Sequence, residues 1–430
     1  MVTFIIRDYP DLDHIFPIIK TFLNKKEKIY ILNFEINLNL RNDPRIIYLN
    51  NDFSDKLTIY DVYSIKGKRF FLDTFINFLS SSKFKEVNFK NISTIKKKNN
   101  FFKLSFLVLI CYLKRVFFSS NNIFEKKLFN DIWANNIVNK LKISSLVLDD
   151  SYYFNHSRPQ SIINVCKLKN IKITLVPHTC YMFTRSEEYK DLKSRKLKNF
   201  YPNIVVTSNK MRLFYNKCGV DLDKIKNLGS ARFCRENINT LRHIFRDFER
   251  DLNKDILKKK LKVLYIDGVY DNDVQKKELI NNISRLNFVN FIIKAHPRGN
   301  FLSQNSSNIQ KNGYSVDIFT PTKVLIQDSD IIICTYSSIL IEAMLLYKKI
   351  ILPKFFLNKE SNFDIFYEEF GFANIFNHPN EIISFLKLID ENKNKEEVNK
   401  EKIDNFIRDF VYGGNFDSSN IMENYYNLIK

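Results

Sequence analysis

Four runs in the second half of the chain, "VLYI" (263–266), "FIIK" (291–294), "DIIIC" (330–334) and "IILP" (350–353), constrain the fold more than any other feature. Each has the length of a strand, and each is apolar on nearly every residue rather than on alternate ones. A strand apolar on both faces must be covered on both faces, which is the situation of a parallel sheet flanked by helices. The intervening "DVQKKELINNISRL" and "ILIEAMLLYKK" carry helical patterns and supply those covers.

The first half alternates in the same way. "VTFIIRD" reads as a strand, "DLDHIFPIIKTFLNK" as a helix opened by an Asp cap, and "KIYILNFE" as a second strand, with "RIIYLN" (45–50) expected as a third. Residues 68–140 read as mostly helical. Strands are expected again at "SSLVLDD" (144–150), "IKITLVPH" (171–178) and "NIVVTS" (203–208), with a helix starting near Arg158 between the first two. The charged stretch 235–260 contains no apolar strand and reads as a connection. The expectation is therefore α/β: two doubly wound, Rossmann-like domains facing each other across a cleft, 1–240 and 241–415. A final helix, 416–430, capped by Asp417 or Ser418, would pack back on the N-terminal domain.

Composition narrows the partners. Lys and Arg exceed Asp and Glu by 20 charges, which suits acidic ligands, although the abundance of Lys, Asn, Ile and Phe is also what an A/T-rich genome imposes. The basic residues are spread along the chain and match no nucleic-acid motif, so nucleic acid is not expected as a partner. The six cysteines are scattered without a CxxC pair and read as small core residues of a reducing cytoplasm. "MVTFIIRDYP" reads as a strand rather than a leader. The most apolar segment, "LSFLVLICYL" (104–113), falls short of the ~20 residues a span requires. Its basic and aromatic flanks suit either a buried helix or one lying on an anionic membrane surface.

Several chemistries are excluded by what is missing. Of nine glycines, only Gly67 precedes residue 200, and neither GxGxxG nor GxxxxGK[ST] occurs. HExxH and GxSxG are absent as well. Polar residues do collect at the carboxyl ends of the expected parallel strands, where open α/β sheets place ligands. These are "LDDS" with Asp149 and Asp150, "VPHT" with His178, "KAHPR" with Lys294, His296, Pro297 and Arg298, and "TYSS" with Ser337 and Ser338. Two hydroxyls at a helix start cap it, and they can also hold an anion alongside the unpaired N–H groups there. A nearby His or Arg adds a charge-assisted bond. Lys294 reads as a surface lysine at a strand end. "DND" (271–273) reads as a helix cap rather than a metal motif, and no metal is expected.

"IIKAHPR" followed by "DIIICTYSSILIEAMLLYKKIILP" resembles the C-terminal half of bacterial GT-B glycosyltransferases with HP and Ser-Ser motifs. These include bacterial sialyltransferases, capsule Kdo transferases and CDP-glycerol glycerophosphotransferases. The resemblance is good over 260–355 and looser over 143–234, through "LVLDDS", "TLVPHT" and "KIKNLGSARF". It implies that His296, Pro297, Ser337 and Ser338 bind the nucleotide phosphate with help from Arg298. It also implies that Glu342 contacts the ribose and that Gly268 lets backbone approach the ligand. The base would come from the other domain, as Asp150 or Asp149, with His178 orienting donor or leaving group. Arg232 in "GSARF" is a candidate for an anionic acceptor. The implied activity is metal-independent transfer of an acidic sugar, Kdo or a sialic-acid-like nonulosonate. The donor would be a CMP-sugar and the acceptor a surface glycan or glycolipid, at the inner face of a bacterial membrane. Polyol-phosphate transfer from a CDP donor, a nucleotide-sugar epimerase of the same architecture, and a non-catalytic membrane-associated scaffold are the alternatives.

Overall fold

The computed structural model describes residues 1–34, 39–61, 134–150, 157–178, 180, 201–246, 260–268, 273–295, 309–311, 313–317, 320–335, 338–356, 370–391 and 398–430. The chain divides into two compact units. The first comprises Met1–Ile15, Ile19–Val176 and Ile429–Lys430; the second comprises Phe16–Ile18 and Pro177–Leu428.

In the first unit, β1 (Val2–Ile6), β2 (Ile29–Asn33), β3 (Leu57–Asp61), β4 (Ser145–Asp149) and β5 (Lys172–Val176) pair in parallel in the order β3-β2-β1-β4-β5. Every residue of β1 and of β4 is buried, as two-sided cover requires. The chain winds outward from β1 through β2 to β3, then returns to the other side of β1 for β4 and β5. The strand order therefore reverses between β1 and β4.

One sequence expectation is corrected here. "RIIYLN" is not a strand but part of the helix Pro44–Phe53, and the third strand is Leu57–Asp61. Asp43 and Pro44 decide it. The Asp43 side chain accepts from the Arg45 N–H at the helix start, and Pro44 sits in the first turn, where its fixed φ fits and its missing N–H costs nothing. The Arg45 guanidinium, although buried, is ion-paired to Asp43 at 2.8 Å and to Asp13. Burial works against its charge, but the two carboxylates more than offset this and hold its pKa above the ordinary arginine value. The first helix also starts earlier than its periodicity suggests. It spans Tyr9–Asn24 behind an Asp8 cap, with Asp11 completing a capping box.

In the second unit, β6 (Asn203–Val206) and β7 (Ile225–Asn227) pair in parallel. The seven-stranded sheet that lies wholly in this unit contains β8 (Leu261–Ile266), β9 (Val289–Lys294), β10 (Ile309–Lys311), β11 (Tyr314–Asp317), β12 (Ile331–Cys334), β13 (Lys349–Pro353) and β14 (Asn374–Phe376), in the order β10-β11-β9-β8-β12-β13-β14. The four apolar runs are thus β8, β9, β12 and β13, mutually parallel as expected, while the hairpin strand β10 runs antiparallel at the edge. Their side chains, with Leu279, Ile283, Ile382 and Leu386 of the covering helices, form one buried core in which Tyr265 packs edge-on to Phe356. Each such side chain contributes roughly 1.5–3 kcal/mol by leaving water. Here the order reverses between β8 and β12.

Candidate functional site

Open α/β sheets bind ligands at the carboxyl ends of the strands where the order reverses, because the connections leave in opposite directions and open a crevice. In the second unit this place lies between β8 and β12, whose last residues, Ile266 and Cys334, are register partners. Past β8 come Asp267 and Gly268. Past β12 come Thr335 and then Ser338, which opens the helix Ile339–Leu345. The fold thus brings Gly268 and Ser338, candidates from distant stretches, to the two sides of one switch point. Ser338 stands at the helix start, and its side chain makes no capping hydrogen bond. The capping expected of the serine pair therefore does not come from Ser338, and Ser337 lies outside the described residues.

Glu342, in the first turn of this helix, forms an ion pair with Arg232, Nη2 to Oε1 at 2.7 Å. Both side chains are mostly covered, at 14% and 22% exposure, so the pair is less screened than one on the surface. Arg232 also lies over the ring of Phe233, 4.9 Å from its centroid. The segment carrying it is tied at several points to the C-terminal stretch. The Ser230 N–H donates to the Val411 carbonyl (2.8 Å), the Tyr412 hydroxyl to the Phe233 carbonyl (3.2 Å), and the Tyr425 hydroxyl to the Gly229 carbonyl (2.9 Å). The Arg235 N–H donates to the Ser418 hydroxyl (2.9 Å).

Gly229 allows this close approach. Its φ is +80°, and a Cβ there would lie 3.1 Å from the Tyr412 backbone. Gly229→Ala is accordingly expected to destabilise the second unit by about 1–3 kcal/mol. The check is chemical denaturation of the full chain; an unchanged midpoint would show that the segment relaxes around the methyl.

Two buried lysines stand near the same strand ends. Lys276, on the helix Asp273–Ser284, pairs with Asp267 at 2.6 Å, with side-chain exposures of 7% and 0%. Lys294, expected at the surface, is instead buried at the end of β9 beside Asp317, 3.6 Å away. Burial lowers its pKa, and Asp317 opposes the shift. The Asp267 N–H donates to the Lys294 carbonyl at 3.0 Å, locking the ends of β8 and β9 together.

In the first unit the switch point lies between β1 and β4. Asp149 ends β4, Asp150 follows it, and both are buried. Beyond β1, the Asp11 carboxylate accepts from the Arg7 and Asp8 N–H groups (2.9 and 3.3 Å) and from the Arg7 guanidinium (3.3 Å). Carboxylate oxygens of Asp11 and Asp149 lie within 4.8 Å of each other. Sequence reasoning misses Arg7 and Asp11. A signal for them exists, since "IIRDYPD" places charged residues directly after a buried strand. Asp11 takes part in the capping box of the helix Tyr9–Asn24.

His178 follows β5 by two residues and is half-buried. His296, Pro297, Arg298 and Ser337 lie outside the described residues, as do Asp271 and Asn272 of "DND" and the segment 96–118, and the side chains of Arg158 and Asp273 are likewise not described. Five of the six cysteines are described and all five are buried, consistent with core packing. Burial pushes the thiols of Cys166 and Cys180 up to about 12, which keeps them protonated and unreactive. Among the described residues, no helix is long and apolar enough to cross a membrane.

No family model and no curated protein matches the sequence. Solved structures do match, over nearly the whole length. The UDP-GlcNAc 2-epimerase of Neisseria meningitidis, solved with UDP-GlcNAc, superposes with a TM-score of 0.58 at 11% identity, covering 99% of this chain and 98% of that chain. The UDP-GlcNAc 2-epimerase of Methanocaldococcus jannaschii gives 0.57 at 12% identity, covering 99% of each chain. The glycosyltransferase of kitacinnamycin gives 0.54 at 8% identity, covering 100% of this chain and 99% of that chain. The fold is GT-B. It consists of two Rossmann-like domains, the architecture shared by glycosyltransferases and UDP-sugar epimerases. At these identities the likeness extends to the fold alone.

Proposed function

We propose that this protein is a nucleotide-sugar-dependent glycosyltransferase whose second unit binds the donor nucleotide and whose first unit binds the acceptor. The observation that carries this reading is the convergence of Gly268, Ser338 and Glu342 on the β8/β12 switch point, with Glu342 held by Arg232. Ser337 and Ser338, with His296, Pro297 and Arg298, would take the phosphate, and Glu342 the ribose. In the first unit, Asp149 would take the proton of the acceptor hydroxyl as general base. Asp149 ends β4 at the switch point, and its carboxylate lies within 4.8 Å of that of Asp11. Asp150, the residue just past the strand, is the other candidate for the base, and His178 would orient the donor or leaving group. No metal is required in this scheme, because the phosphate charge is met by hydroxyls, helix N–H groups and His or Arg.

The finer reading is a CMP-activated acidic sugar, Kdo or a nonulosonate, transferred to a glycan or glycolipid. A single phosphate needs no glycine-rich diphosphate loop, and the sequence contains none. A second reading, chemistry on a UDP-N-acetylhexosamine, is favoured by the similar folds of the two epimerases, one of them solved with UDP-GlcNAc. A thermal-shift comparison of CMP, CDP, UDP and GDP separates the two. Selective stabilisation by CMP is expected, by about 2–3 kcal/mol at a hundredfold excess over Kd. Selectivity for UDP would transfer the assignment to the second reading.

A further inference from the structure

Glu342 and Arg232 are 110 positions apart in the sequence and meet only because of the way the second unit folds. An isolated Glu in the first turn of a helix has several rotamers, and most of them would not present its carboxylate to a fixed ligand. Arg232 removes that freedom. Its planar fork fixes Oε1, and the carboxylate's remaining lone pairs on Oε2 are left for donors such as the vicinal hydroxyls of a ribose.

Arg232 is itself held rather than mobile. Its guanidinium rests on Phe233, and the Asn237 side-chain amide donates to its carbonyl at 2.6 Å. The C-terminal stretch 411–425 ties the backbone on both sides of it. A surface ion pair of convenience would show none of this support.

We infer that Arg232 is a positioning residue for ribose recognition, orienting Glu342 from behind while the C-terminal stretch fixes Arg232 in place. This rests on the reading of Glu342 as the ribose contact, and it assigns Arg232 to the donor side rather than to an anionic acceptor. It also gives the C-terminal stretch a part in nucleotide affinity.

The test is calorimetric titration of the full chain with CMP and 2′-deoxy-CMP, and with UDP and 2′-deoxy-UDP, read as the ratio of ribo to deoxy affinity. A general structural role for Arg232 would lower both affinities together and leave the ratio unchanged. The wild-type protein is expected to prefer the ribonucleotide by about tenfold, the size of a hydrogen bond to a charged group. Arg232→Gln should bring the ratio close to one without changing the unfolding midpoint, and Arg232→Lys should fall between, since it keeps the charge and loses the fork. Glu342→Gln should do the same, and the double variant should lose no more than either single, as expected for residues acting as one unit. If Glu342→Gln collapses the ratio and Arg232→Gln and Arg232→Lys leave it intact, the positioning role is overturned while the nucleotide reading stands. A wild-type protein that binds nucleotide without ribose preference, or binds none, overturns the reading of Glu342 and this inference with it.

Discussion

Asp149→Asn is expected to lower kcat of sugar transfer by about 10²–10⁴-fold, the usual contribution of a positioned general base. The fold should survive. Asn has nearly the shape of Asp, and the substitution removes one of two carboxylates whose oxygens lie within 4.8 Å of each other in a buried setting. Donor binding, measured by titration, should also remain, because the donor nucleotide is assigned to the second unit. Asp150→Asn is the companion measurement. A large loss there with near-normal turnover in Asp149→Asn would move the base to Asp150, and near-normal turnover in both would remove the pair from the chemistry. Asp11→Asn should act differently, through stability, because the Asp11 carboxylate closes the capping box of Tyr9–Asn24.

Lys276→Ala is expected to cost about 3–5 kcal/mol of stability, because it strands the Asp267 carboxylate in a buried site. Asp267 has no exposed side-chain surface, and its partner nitrogen sits 2.6 Å away. The pair joins the end of β8 to the helix Asp273–Ser284 and so braces the turn containing Gly268. Chemical denaturation of the second unit's transition would measure the loss. The control is Lys276→Met combined with Asp267→Leu, which removes both charges together and should recover most of the stability. A loss below about 1 kcal/mol in the single variant would show that the aspartate is relieved by relaxation or water and that the pair does not brace the turn.

The parallel core is legible in the residues themselves, because β8, β9, β12 and β13 are apolar on consecutive positions and alternate with helical patterns that can cover both faces. "RIIYLN" misleads for the converse reason. Short apolar runs do not distinguish helix from strand, and there the Asp43-Pro44 start decides the outcome. Lys294 is misread from sequence because long side chains are normally exposed. Its burial depends on Asp317, a residue on a strand whose adjacency only the sheet order establishes. Cysteine patterns lead to the correct reading, since scattered apolar surroundings already imply buried thiols.

The candidate site divides along the same line. Glycines, hydroxyls and carboxylates at strand ends can be located from sequence, because strand periodicity marks where each strand stops. On that basis Asp149, Asp150, Gly268 and Ser338 stand out in the sequence alone, while Glu342 is singled out by the family resemblance. Which of these residues meet is a different matter. Switch points arise from strand order, and strand order arises from how helices cover the two faces of a sheet, which local sequence does not encode. The β8/β12 neighbourhood of Gly268 and Ser338, the Asp11–Asp149 proximity and the Arg232–Glu342 pair each join residues far apart in the chain. Local residue patterns suffice for an α/β chain with polar groups at its strand ends; which of those groups become partners is set by tertiary packing.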